Sequence, residues 1–227
     1  MRVLVTGGTG FVGAHLVTTL LQRGDSCRLL VRDREKAARH FLEEVDLVEG
    51  DLTAPSTLTG LAEGITHVVH LAAQGHVSAV SEQAYRDFYE VNVQGTINLM
   101  EACLGAGIKR FIHFSSTAAM GLLHKEGPVS ELDTPVPVTP YQRSKLESEK
   151  AALRTGNELD IPIVILRPCM VYGKGGGDGE FFKIARLMRR GLFPKVGRGR
   201  NLTPLVHVQD VVQAAVAALE RGREGEI

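Results

Sequence analysis

One stretch near the start leaves this chain little freedom. Val3-Leu4-Val5-Thr6 reads as a strand buried on both faces, and it runs straight into Gly7-Gly8-Thr9-Gly10-Phe11-Val12-Gly13. Behind that turn, Val12, Leu16, Val17, Leu20 and Leu21 recur at helical spacing as far as Gly24, a glycine placed where helices commonly end. Small residues are needed in such a turn for three reasons. The chain must reverse sharply, its backbone must touch a ligand, and the helix must lie close to the strand. The open N–H groups and partial positive charge of the helix start then suit a pyrophosphate. Glycines spaced like Gly7, Gly10 and Gly13 are a weak signal alone, but between a strand and a helix they sit in the context the mechanism demands. Gly7, Gly10, Phe11, Val12 and Gly13 are therefore candidate cofactor-binding residues.

The rest of the chain alternates short apolar runs with longer amphipathic stretches. The pattern predicts strands over 2–6, 27–31, 45–48, 67–71, 111–114 and 163–166. Helices are expected over 10–23, 34–42, 56–62, 83–106 and 139–157. Strands joined by helices of this length need crossover connections. The fold class that follows is α/β, a Rossmann-type doubly wound parallel sheet covered on both faces. Residues 1–172 would form this dinucleotide-binding domain. The glycine run at 173–179 reads as a loop at the mouth of a cleft. A helix over 181–190, a strand over 204–206 and a helix over 208–221 would then begin a partial substrate lobe, 173–227, interleaved with the first domain rather than set off by a linker.

Composition narrows the partners. With 227 residues, 44% hydrophobic and 23% charged, the chain can bury one sizeable core. Its 26 Lys and Arg balance 26 Asp and Glu, which argues against nucleic acid or an acidic membrane surface and leaves a small-molecule substrate. Cys27, Cys103 and Cys169 have neither metal-ligand spacing nor an even disulfide set, which fits a reducing compartment. No signal-peptide layout opens the chain and no apolar run approaches the ~18 residues of a membrane span, so a cytoplasmic location is the expectation.

Three further places carry chemistry. Tyr141-Gln142-Arg143-Ser144-Lys145 puts Tyr141 and Lys145 on one face of a helix that Pro140 opens. A phenol is too weak an acid to serve as a base at neutral pH, and a nearby ammonium stabilises its phenolate. Such a pair can exchange a proton with an alcohol or ketone while hydride moves. Ser115-Ser116-Thr117 ends the fifth strand, at the edge where open α/β sheets bind ligands. There Thr117 could orient a substrate oxygen toward Tyr141. The second strand ends Leu30-Val31-Arg32-Asp33. An acid at that tip bonds the adenine ribose 2′-OH, while an arginine accommodates a 2′-phosphate. Val31 occupies the acid's place and Arg32 follows, which favours NADP(H) over NAD(H). The alternative leaves Arg32 in solvent and gives the ribose to Asp33.

Together these residues resemble the extended short-chain dehydrogenases/reductases, the NAD-dependent epimerase/dehydratase family. The resemblance covers essentially the whole chain. Gly50-Asp51-Leu52 looks like the family's adenine contact, and His70-Leu71-Ala72-Ala73 like the segment beside the cofactor. Asn92-Val93-Gln94-Gly95-Thr96 is similar to the helix element whose Asn supports the active site. Leu166-Arg167-Pro168 with Val171-Tyr172-Gly173 resembles the loop beside the nicotinamide, and His207-Val208-Gln209-Asp210-Val211 a late structural motif. The resemblance implies Thr117, Tyr141 and Lys145 as the catalytic trio. It implies cofactor contacts at Asp51, Leu52, Leu71, Ala72, Ala73, Asn92, Ser115, Pro168 and Val171, and a homodimer formed through the helices near 83–106 and 139–157.

Two departures stand out. Family dehydratases carry an Asp-Glu pair after the catalytic threonine, where Ala118 and Ala119 stand here, so elimination of water is not expected. Family members also continue beyond a segment like Gly225-Glu226-Ile227, so part of the substrate pocket is expected outside this chain. The expected activity is oxidation of a secondary alcohol, or epimerisation at that carbon, on a nucleotide-linked sugar. One alternative is an NADPH-dependent ketone or aldehyde reductase, to which Arg32 points. The other is a non-catalytic NADP-binding sensor. His70, His113 and His207 read as structural, and Cys169 as a small packed side chain. Arg186, Arg189, Arg190, Lys195, Arg198 and Arg200 could hold a substrate diphosphate or simply face solvent.

Overall fold

The computed structural model describes residues 1–41, 45–75, 81–121, 127–176, 179–195, 197–199 and 202–227. Six strands form the central sheet: β1 (Arg2–Thr6), β2 (Ser26–Val31), β3 (Asp46–Glu49), β4 (His67–His70), β5 (Arg110–Phe114) and β6 (Ile163–Leu166). Their order is β3-β2-β1-β4-β5-β6, and every neighbouring pair is parallel. The chain winds outward from β1 to β3 and then returns to lay β4 on the other side of β1. Loops therefore diverge at the carboxyl ends of β1 and β4 and open a crevice there, the usual ligand site of such sheets.

Burial on both faces explains the strand composition. Val3, Leu4, Val5, Val68, Val69 and Ile112 are wholly buried. One face is covered by α1 (Phe11–Gln22) and α7 (Val208–Arg221). Leu16, Val17 and Leu20 of α1 share a core with Val211, Val212, Ala215 and Leu219 of α7. The last long helix therefore packs on the dinucleotide-type sheet. The other face is covered by α4 (Gly95–Glu101) and α5 (Pro140–Leu159), through Leu99, Met100 and Ala152. A capping box opens α5: the Thr139 hydroxyl accepts from the Gln142 N–H, and the Gln142 side chain accepts from the Thr139 N–H. A smaller parallel pair, β7 (Met170–Tyr172) with β8 (Leu205–His207), lies beyond the main sheet beside α6 (Glu180–Arg189).

One buried row is polar. Thr6, His70 and His113 stand in register across β1, β4 and β5. They follow Leu4, Val68 and Phe111 by two residues and so share their face. The Thr6 hydroxyl accepts from the Ala72 N–H and donates to His70 Nδ1 at 2.6 Å. His70 Nε2 donates to the Thr96 hydroxyl (3.0 Å), which donates to the Asn92 carbonyl (2.7 Å). His113 Nε2 donates to the Ser148 hydroxyl (3.1 Å), which donates to the Lys145 carbonyl (2.8 Å). Burial pushes the His70 imidazole down to about 3 and His113 well below its ordinary value, so both are neutral near neutrality.

Several boundaries differ from expectation. The helix expected over 83–106 is α3 (Glu82–Tyr89), a π turn at Glu90–Gln94, and then α4, which stops at Glu101. A single extra residue per turn is invisible to a periodicity read over the whole run. The helix expected over 34–42 is the short α2 (Arg34–Ala38), and Leu42 lies outside the described residues. The 56–62 helix is a single 3₁₀ turn at Pro55–Leu58. β7 was not expected, being three residues long and only half-buried.

Candidate active site and cofactor cleft

The glycine turn is built by close approach of backbones. Gly7 has φ +70°, and a Cβ there would lie 2.7 Å from the Ala72 nitrogen on the loop after β4. Gly13, inside α1, sits so close to the turn that a Cβ would lie 2.2 Å from the Gly7 oxygen. Gly10 is the N-cap of α1 and uses no side chain to satisfy the helix start. The first N–H groups of α1 thus face a strand edge with no side chain in the way, a cradle shaped for a pyrophosphate.

A cleft of about 720 Å³ lies over this edge. Gly7, Gly10, Arg32, Asp51, Leu52, Leu71, Ala72 and Ala73 all line it, with Thr53 and Gln74 beside them. The Asp51 carboxylate accepts from the Thr53 N–H and hydroxyl, both at 2.8 Å, and these bonds with nearby Arg32 hold it below the usual carboxylate range. Asp33 points elsewhere: its carboxylate accepts from the Lys36 N–H at 2.8 Å and caps α2. Asn92, in the π turn, accepts from the Gln74 N–H (2.7 Å) and donates to the Gln74 carbonyl and the Ser144 hydroxyl (both 3.1 Å). It clamps the cleft's floor to α5. Phe11, Val12 and Gly13 do not line the cleft; Phe11 packs edge-on against His15, and Val12 faces the core.

The second centre lies at the carboxyl end of β5. Lys145 is 3% exposed, and its ammonium donates to the Phe114 carbonyl at 2.7 Å. Burial lowers it to about 8, against which Glu149 acts. Tyr141, one turn earlier, is half-buried and packs against Phe88 with ring centroids 5.7 Å apart. Burial raises its phenol, and a hydrogen bond from the Ser116 hydroxyl opposes that rise. Ser116 also caps the 3₁₀ turn Thr117–Met120 by accepting from the Ala118 N–H at 3.1 Å.

One expected placement differs by a residue. Thr117 is exposed, and its N–H is tied to the Pro168 carbonyl at 3.1 Å. The hydroxyl beside Tyr141 is that of Ser116. Three successive hydroxyls ended the strand, and only the turn that starts at Thr117 decides which one faces α5. Counted from Ser116, the next residues are Thr117 and Ala118, so no carboxylate follows in either register. Ser115 is buried, and its hydroxyl finds no partner among the described residues. Pro168 carries the carbonyl facing the turn, whereas Val171 sits in β7 against the α1–α7 core. Of the basic run, Arg186 and Arg189 lie on α6, Lys195 lines a mostly apolar cavity of about 750 Å³ with Met170 and Phe181, and Arg200 lies outside the described residues.

A six-stranded parallel sheet with a glycine cradle at its switch point and a Tyr/Lys pair one strand away defines an extended short-chain dehydrogenase/reductase. Within that class the chain belongs to the NAD-dependent epimerase/dehydratase family, whose model matches residues 3–227. The chain is 34% identical over 224 residues to a UDP-glucose 4-epimerase of Vibrio cholerae, covering 96% of this chain and 66% of that enzyme. It is 31% identical to the 4-hydroxy-2-methyl-3-oxo-4-farnesyl-3,4-dihydroquinoline-1-oxide ketoreductase of Stigmatella aurantiaca, covering 100% of this chain and 67% of that one. Among solved structures it superposes on UDP-glucuronic acid 4-epimerase of Bacillus cereus in complex with UDP-glucuronic acid and NAD, with a TM-score of 0.85, 28% identity, and coverage of 100% of this chain and 76% of that one. The chain thus spans about two thirds of the length of these curated relatives. Among the described residues no helix is long and apolar enough to cross a membrane.

Proposed function

We propose that this chain carries the dinucleotide-binding and acid–base machinery of an oxidoreductase or epimerase acting on a secondary alcohol or ketone of a nucleotide-linked sugar. The juxtaposition of Ser116, Tyr141 and Lys145 at the end of β5 carries the proposal. The cradle formed by Gly7, Gly10 and Gly13 fits a nicotinamide dinucleotide, which would supply the hydride acceptor or donor. Ser116 would hold the substrate oxygen, and Tyr141 would take or return its proton. The Lys145 ammonium would favour the phenolate, which burial alone disfavours. Residues 1–172 would form the cofactor half together with α7, which returns to its sheet, and the rest of 173–227 the start of a substrate lobe. The apolar cavity beside Lys195 offers a ring-stacking surface and one cation to a nucleotide.

At the adenine end, Asp33 is committed to capping α2 and Asp51 to Thr53, which leaves exposed Arg32 to meet the ribose. This supports NADP(H), and with it the alternative of a one-way ketone or aldehyde reductase. The relatives match both chemistries, an epimerase and a ketoreductase. One experiment separates them. The purified protein is denatured and any released nucleotide identified; cofactor-free protein is then titrated with NADPH and NADH. Tightly held NAD supports an epimerase, which regenerates its cofactor each turnover, and defeats the role given to Arg32. Preference for NADPH supports the reductase. No binding of either defeats the proposal.

A further inference from the structure

Behind Lys145 lies a second charge pair that the proposed proton chemistry does not use. Glu149 stands one helical turn after Lys145 on α5 and is 1% exposed. The Arg167 guanidinium, just past β6, meets it fork to fork: Nε to Oε1 at 2.9 Å and Nη2 to Oε2 at 2.7 Å. The third arm of Arg167 donates to Met120 Sδ at 3.0 Å. Met120 ends the 3₁₀ turn that Ser116 caps, and the neighbouring Pro168 carbonyl holds the Thr117 N–H. One buried ion pair therefore joins the helix bearing Tyr141 and Lys145 to the turn bearing Ser116.

We propose that Glu149 and Arg167 are a positioning pair: Glu149 sustains the charge of the buried Lys145, while Arg167 holds the Glu149 carboxylate in place and pins the Ser116 turn against Tyr141. The meaning of this for catalysis rests on the function proposed above; the electrostatic relation to Lys145 does not. A carboxylate this deeply buried persists only when paired, and a bidentate guanidinium is the partner best suited to it. Around Lys145 the titratable groups are His70 from β4, His113 from β5, and Tyr141 and Glu149 from α5; Glu131 acts on Arg167. Both histidines are neutral near neutrality, which leaves Glu149, among the titratable groups of the described residues, to oppose burial at Lys145 alongside the hydrogen bond to the Phe114 carbonyl.

The two partners of one ion pair are predicted to act in opposite senses. Glu149→Gln leaves the Arg167 charge uncompensated, which disfavours the Lys145 ammonium. Arg167→Met leaves Glu149 facing Lys145 alone, which favours it. Protein labelled with [13C]lysine reads this directly through the ε-carbon shift of Lys145, identified by its absence in Lys145→Arg. The wild-type midpoint is expected at about 8. It should fall by on the order of one pH unit in Glu149→Gln and rise by a similar amount in Arg167→Met. The double variant Glu149→Gln/Arg167→Met, which removes both charges, should lie below wild type, because no carboxylate then favours the ammonium, but above Glu149→Gln, and it serves if either single variant fails to fold. A merely structural pair would let water reach Lys145 in every variant and raise every midpoint. An unchanged or raised midpoint in Glu149→Gln, or a double variant at or above the wild-type midpoint, overturns the proposal. NADPH and NADH titrations of the same samples separate the two ideas: a protein that binds neither cofactor yet shows opposite shifts defeats the proposed function and leaves the pair standing.

Discussion

Replacing Gly13 by alanine should cripple cofactor binding far more than it harms the fold. Inside a helix, glycine to alanine normally stabilises by about 1 kcal/mol. Here the new Cβ would lie 2.2 Å from the Gly7 oxygen and 2.8 Å from the Gly8 Cα, both backbone atoms that cannot rotate away. Helix and turn must separate by roughly 1 Å to restore ordinary contact. Overpacking of this kind costs about 1–3 kcal/mol, so the net loss of stability is about 0–2 kcal/mol after the gain in helix propensity. Binding should suffer more, because the turn's N–H groups must aim at the pyrophosphate. Losing two charge-assisted hydrogen bonds at roughly 1.5 kcal/mol each weakens binding about 100-fold. Gly24 supplies the control: it has φ +81° and open space around its Cβ position, so Gly24→Ala carries left-handed strain of about 1–2 kcal/mol and no crowding of the turn. Both variants are titrated with NADH or NADPH by cofactor fluorescence, which no tryptophan disturbs because the chain has 0 Trp, and both are unfolded in urea. Gly13→Ala binding within threefold of wild type, or Gly24→Ala binding as poorly as Gly13→Ala, would refute the cradle.

Three other outcomes are expected. Tyr141→Phe should lower turnover by about 10²–10⁴-fold with cofactor binding retained, and Ser116→Ala should lower it more than Thr117→Ala, measured as kcat on a sugar nucleotide or ketone. A larger loss in Thr117→Ala would return the catalytic hydroxyl to that residue. Burial lowers Lys145 from 10.5 to about 8, so between those values the unfolded chain binds the extra proton and stability rises with pH. Relative to Lys145→Met, wild type should gain up to about 3 kcal/mol across that window in urea unfolding, and parallel pH curves would contradict it. His70 is lowered from 6.5 to about 3, so its contribution is present above pH 6.5 and is lost as pH falls toward 3. His70→Gln should therefore lose about 1.4 kcal/mol less per pH unit on acidification than wild type does.

The sheet and its cradle were readable in the sequence because their physics is local. A strand, three spaced glycines and a helix occupy one continuous stretch, and alternation of apolar runs with amphipathic ones determines a parallel order. That Ser116 rather than Thr117 stands beside Tyr141 was not legible, because three adjacent hydroxyls differ only in where a short turn begins, and the Thr117 N–H of that turn is held by the Pro168 carbonyl some fifty residues on. The Glu149–Arg167 pair was hidden for a related reason. Arg167 reads only as part of the segment resembling the loop beside the nicotinamide and Glu149 belongs to no motif, and only the return of β6 beside α5 brings them together. The π turn around Asn92 escaped because its extra residue leaves the apolar spacing on either side almost unchanged.

The buried row of Thr6, His70 and His113 bears on how the sheet finds its alignment while folding. Val3, Leu4, Val5, Val68, Val69, Phe111 and Ile112 are apolar on both faces, so hydrophobicity alone would tolerate neighbouring strands slipping by one residue. A slip of β4 or β5 would carry an imidazole to the face covered by α1 and α7, away from the hydroxyls of Thr96 and Ser148. An orphaned buried polar group costs about 1–3 kcal/mol, and a slip would orphan nitrogens that are bonded in the correct sheet. Even with His113 Nδ1 unpartnered in the correct register, the bonds of both His70 nitrogens and of His113 Nε2 make the histidines a register key: they discriminate between near-equivalent pairings in a sheet whose apolar residues do not.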